Sequence, residues 1–98
     1  MSRLGKTQAP ATLEAAEAIA LQGLAFLAEE PGRLQRFVAV TGLEPAELRA
    51  RADTAELLSA VLEHLAGDES LLLVFAASRG IAPETIAPAM ALLQARFP

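Results

Sequence analysis

Two glycines thirty-eight residues apart, each followed at once by an aliphatic residue and then, two positions on, by a proline, constrain this chain more than any other feature. They sit in "FVAVTGLEPAEL" at residues 37–48 and "FAASRGIAPETI" at residues 75–86. A glycine after a helical stretch ends the helix in the left-handed conformation that other residues adopt only at a cost, and a proline just beyond it can open a new helix but not continue the old one. The chain is therefore committed twice to helix, tight turn, helix. Shifting the whole sequence by 38 extends the match: between residues 24 and 48 the identical pairs are Leu24/Leu62, Leu27/Leu65, Ala28/Ala66, Leu34/Leu72, Phe37/Phe75, Ala39/Ala77, Gly42/Gly80 and Pro45/Pro83. Chance in so Ala- and Leu-rich a chain gives roughly two or three. Leu43/Ile81, Leu48/Ile86 and Glu30/Asp68 are conservative matches. Identities confined to core, cap and turn positions are what a duplicated three-helix scaffold, or convergence on one packing solution, requires.

The remaining punctuation fills in the other helices. Residues 1–11 lack periodicity and read as a flexible tail. Thr12 can cap a first helix whose Glu14 and Glu17 suit the positive N-terminal end, and which runs to about Glu29. Pro31 opens a second helix reaching Thr41, with Leu34, Phe37, Val38 and Thr41 on one face. A third runs from Pro45 to about Ala52. Asp53-Thr-Ala-Glu56 reads as a capping box opening a fourth, whose stripe of Leu57, Leu58, Val61, Leu62 and Leu65 is the clearest amphipathic signal in the chain. Gly67 ends it, Asp68 caps a fifth, and Gly80 ends that. The last segment begins at Pro83, and Pro88 predicts a single turn, a break or kink, then helix to about Phe97. The expected fold is all-α: one domain over residues 12–98, a compact bundle of five to six short helices. Its two pseudo-repeated three-helix units span about 13–50 and 51–88, each with a helix-turn-helix-like turn.

Composition agrees and narrows the function. Apolar residues are 53% of the chain and aromatics only 4%, so Leu and Ala carry the core. Cysteine is absent, which excludes disulfides, thiolate zinc sites and cysteine nucleophiles and fits a reducing compartment. The net charge of −4 repels phosphate backbones, leaving nucleic acid only a local patch. "MSRLGKTQAP" resembles a secretory leader superficially, but Glu14 and Glu17 interrupt the apolar region that such a leader needs. The longest unbroken apolar run, Leu71 to Ala77, is far too short to span a bilayer. A cytoplasmic protein is expected.

No constellation for chemistry stands out. His64 is the sole histidine, at the position matching Phe26 in the first unit, and reads as a boundary side chain with its ring packed and one nitrogen wet. Glu29-Glu30 and Asp68-Glu69 fall at helix junctions, where capping and dipole stabilisation account for them. Gly23 reads as a close-packing position rather than part of a phosphate loop. No catalytic residue, metal, cofactor or small-molecule ligand is therefore expected, and the chain is read as a non-enzyme.

Comparison of the two units sharpens the question of partners. The outer face of the second helix carries Arg33, Gln35 and Arg36, where the fifth carries Leu71, Leu73 and Val74. The first helix is likewise apolar around well over half its circumference. Two readings follow: the first and fifth helices bury each other at the centre of the domain, or apolar surface stays outside as a homodimer or partner interface. The turns raise a further reading. Helix, glycine, aliphatic residue, short helix is helix-turn-helix spacing, and Arg33, Arg36, Arg49 and Arg51 against Glu44 and Glu47 leave residues 33–51 locally basic. The second copy offers "PETIAPAM", without a basic side chain to reach bases or phosphates, so nucleic acid is the weaker alternative. The expected function is a protein-interaction or homo-oligomeric structural module. Its candidate contact residues are Arg33, Arg36, Arg49 and Arg51 as a polar surface and Leu71, Leu73 and Val74 as an apolar one.

Three stretches carry a family resemblance: A-x-x-x-A-L-Q-x-L-x-F-L-A at residues 16–28, R-F-x-x-x-T-G-L-x-P-x-x-L-R at 36–49, and L-x-x-V-L-x-x-L at 58–65. With them the chain resembles domain of unknown function 3572, a family of small bacterial proteins. Ala16, Ala20, Leu21, Gln22, Leu24, Phe26, Leu27 and Ala28 fit the first stretch. Arg36, Phe37, Thr41, Gly42, Leu43, Pro45, Leu48 and Arg49 fit the second, and Leu58, Val61, Leu62 and Leu65 the third. The resemblance covers about residues 14–82 and is weakest over the C-terminal "PETIAPAMALLQARFP". It implies a free-standing bacterial cytoplasmic protein and carries no catalytic residues over.

Overall fold

Capping decides where each helix of the computed structural model, which describes residues 12–97, begins and ends. Helix α1 (Leu13–Ala28) starts where the Thr12 hydroxyl accepts from the Ala15 amide at 3.1 Å. Helix α2 (Pro31–Thr41) opens on Pro31 and closes on Gly42, whose φ is 76°. Helix α3 (Pro45–Arg51) begins with a capping box between Glu44 and Glu47, the Glu44 amide donating to Glu47 Oε1 at 2.9 Å. Helix α4 (Ala55–Ala66) is capped by Thr54, which accepts from the Leu57 amide at 3.2 Å and donates to the Arg51 carbonyl at 2.8 Å. The capping box expected from Asp53 to Glu56 is therefore displaced: Thr54 takes the cap, and Glu56 turns to Arg51 instead. Helix α5 (Glu69–Arg79) is capped by Asp68 and closes on Gly80 at φ 67°. A 3-10 turn, Pro83–Thr85, leads into α6 (Ile86–Gln94).

The C-terminal expectation needs a correction. Pro88 neither breaks nor kinks a helix, because the break comes earlier, in the 3-10 turn. Pro88 is the third residue of α6, where a backbone N–H has no intrahelical partner to lose. The helix also stops at Gln94 rather than near Phe97. The tail expected over residues 1–11 lies outside the described residues.

Among the described residues the fold is all helical: six α-helices, one 3-10 turn and no strand. Helices α1, α4 and α6 pack mutually to form the core, while α2 lies on α1 and α5 on α4. Phe26, Leu27, Leu58, Val61, Leu62, Leu65, Ala89 and Leu93 are sealed between them. The reading in which α1 and α5 bury each other at the centre is thus corrected. The apolar girdle of α1 is covered by α4 and α6, and α5 meets α1 only near its end. Gly23 is what lets α1 approach α4: a Cβ there would stand 3.0 Å from both Val61 Cγ1 and Leu65 Cδ1.

The 38-residue offset maps α2 onto α5 end for end and Gly42 onto Gly80, both left-handed. It also maps one cross-contact onto another with the halves exchanged. Phe26 of α1 meets Phe75 of α5 at a centroid distance of 5.3 Å, and Phe37 of α2 meets His64 of α4 at 5.2 Å. The exception is α3. Its counterpart, the 3-10 turn with α6, packs on both α1 and α4, whereas α3 touches the other helices only sparsely and is seated in the core through Leu48.

Candidate interaction surfaces

The four arginines singled out in the sequence do not form one patch. Arg33 is half-buried over the Phe26 ring, 4.1 Å from its centroid; its Nη1 donates to the Phe26 carbonyl at 3.4 Å, and its Nη2 stands 3.7 Å from Glu30 Oε2. Those contacts hold it against the protein. Arg51 is taken by Glu56 at 2.8 Å. Arg36 and Arg49 are exposed, and among the described residues neither enters an ion pair. Arg36 and Arg51 share the rim of a cleft of about 720 Å³ between α2 and α4, whose wall includes Val40, Leu43, Ala60, His64 and Asp68. Arg33 and Arg36 border a smaller hollow beside it, with His64, Asp68 and Leu71. Arg49 faces a different groove altogether.

His64 lies in the wall of the first cleft and of the hollow beside it, with its Nε2 closed to solvent. That atom is buried and makes no hydrogen bond to a described residue. Burial holds the imidazole pKa below its ordinary value, helped by the Arg36 guanidinium and opposed by the Asp68 carboxylate. Of the two ring nitrogens Nε2 is the packed one, and its burial favours the neutral ring.

The three apolar candidates divide. Leu71 is half-buried against the core. Leu73 and Val74, adjacent on the outer face of α5, keep 49% and 50% of their surface exposed. Among the described residues Leu21 and Val40 are the other large apolar side chains left this open, each on a different helix.

Sequence reasoning missed a second apolar feature. Between α1, α2 and α3 runs a groove of about 270 Å³, walled by Leu24, Ala28, Leu34, Leu48 and Ala52 with Arg49 at its rim. Across Leu34 and Pro45 it continues into a hollow of about 380 Å³ floored by Pro31 and Val38. The available signal was the length of the third helix in each unit. One that stops at Arg51 cannot cover what a helix reaching Gln94 covers in the other half. Among the described residues no three His, Asp or Glu side chains gather as metal ligands, and no single helix is long and apolar enough to cross a membrane.

Neither a curated protein nor a solved structure matches the chain significantly. The family model described as "Protein of unknown function (DUF3572)" matches residues 13–96, the C-terminal segment included, and the chain belongs to that family.

Proposed function

We propose that this chain is a non-enzymatic protein-interaction module that associates with itself. The observation that carries the reading is the pair Leu73 and Val74, half-exposed side by side on α5 while the α1/α4/α6 core beneath is closed. Desolvating adjacent aliphatic side chains gains about 25 cal/mol per Å² of apolar area, and contiguous exposed apolar surface marks contact sites. The burial of His64 Nε2 supports the non-enzymatic part, since that nitrogen of the sole histidine is closed to solvent. The cysteine-free composition and the family resemblance support a bacterial cytoplasmic setting. Coincident element boundaries and the exchanged aromatic pairs support reading the two halves as one scaffold used twice.

Sedimentation velocity across a concentration series tests the proposal. The wild type should associate and Leu73→Glu should remain monomeric; because Leu73 is half-exposed, the variant should keep its fold, which circular dichroism checks. A wild type that stays monomeric at hundreds of micromolar overturns self-association.

The helix-turn-helix alternative, using the arginines of residues 33–51, is favoured by the left-handed Gly42 turn and by the exposure of Arg36 and Arg49. Against it, the Arg33 and Arg51 guanidiniums are held by the protein's own groups. Retardation of random-sequence duplex at low salt by micromolar protein would reverse the preference.

A further inference from the structure

We infer that the groove between α1, α2 and α3 is the seat for a second copy of this chain, which inserts the outer face of α5 so that its Glu69 lies against Arg49. This rests on the self-association proposed above and specifies its geometry. The ridge cannot make a dimer alone: two half-exposed side chains fall far short of the roughly 800 Å² per partner that a stable interface buries, so the ridge needs a concave apolar seat.

The molecule offers that seat where its two halves differ. In the second half the equivalent of α3 packs down on α1 and α4, and Leu62 is fully buried; in the first half α3 packs less extensively, through Leu48, and Leu24 at the matching position lines an open groove. Charge then selects the occupant. Arg49 is the one charged side chain in the groove wall, exposed and outside any ion pair among the described residues. On α5, Glu69 stands one helical turn before Leu73, on the same side, and is likewise exposed and unpaired among the described residues. Ser70 and Ala77 flank the ridge with small side chains, which lets the helix sink into a narrow slot. When each copy contributes both ridge and groove, the contact closes as a two-fold dimer with two Arg49–Glu69 pairs.

The test is sedimentation equilibrium of the full-length chain at low and moderate salt, with circular dichroism on every variant. Arg49→Glu and Glu69→Arg should each weaken the dimer at least tenfold, and the double charge swap should recover most of that loss. Added salt should weaken the wild-type dimer. A strictly monomeric wild type overturns this seat together with the self-association reading. A dimer that Leu73→Glu dissociates, but that neither charge reversal weakens or that the swap fails to restore, overturns the seat alone.

Discussion

The ring of His64 meets that of Phe37 edge-on, with centroids 5.2 Å apart and planes at 74°. The position matching His64 in the other half is Phe26, which meets Phe75 in the corresponding place. The molecule thus contains its own control for what a histidine does in this pocket.

Because burial lowers the folded pKa of His64 below its ordinary 6.5, the unfolded chain binds the proton more readily. The stability gained by keeping the ring neutral is fully present above about pH 6.5 and is lost as pH falls through that value toward the lower folded one. Chemical denaturation between pH 5 and 7.5 should show this slope. His64→Phe should remove it and, by eliminating the orphaned Nε2, raise stability by on the order of 1 kcal/mol.

Arg33 should matter to the fold more than its surface charge suggests. Its guanidinium covers the Phe26 ring and caps a carbonyl, so Arg33→Ala should cost about 1 kcal/mol, with Arg33→Lys recovering only part. Arg49→Ala, with no such contacts among the described residues, should fall within about 0.5 kcal/mol of wild type in urea melts at protein concentrations that keep the chain monomeric.

Gly42→Ala and Gly80→Ala should each destabilise by about 1 kcal/mol, and by similar amounts. A Cβ at either site meets nothing within 4 Å, so the cost is the left-handed backbone alone. Asn at either position should cost less than Ala. A larger, unequal loss in thermal melts would show that the turns differ in ways beyond their φ angles.

Gly23→Val should destabilise by about 2 kcal/mol. Its branched side chain would drive into Val61 and Leu65, already 3.0 Å from where a Cβ would stand, and Val61 is stiff about χ1 in a helix. Adding Val61→Ala should recover part of the loss, a coupling that a double-mutant cycle measures.

Helices with local stop signals were legible from residue order. The bounds of α2 follow from Pro31 and Gly42, and those of α5 from Asp68 and Gly80, because caps and prolines act within a few residues. Pro88 misled for a tertiary reason: once Thr85 and Ile86 are buried, the 3-10 turn ends before the proline, which then falls in a first turn. The partner of α1 was equally hidden. An apolar girdle states that a helix is covered, not whether α5 or α6 covers it. Leu73 and Val74 were visible as an apolar excess, while the groove around Leu24 and Leu48 depends on how α1, α2 and α3 sit against one another, which periodicity does not encode.

The slight purchase of α3, a single leucine seated among helices that otherwise lock together, gives the groove one firm bank and one that yields. Among the six α-helices, amide deuteration should therefore run fastest across residues 45–51, since little beyond Leu48 must be released to open that turn. A visiting surface of imperfect fit would be met by a wall that adjusts, with the cost of adjustment confined to seven residues rather than spread through the bundle.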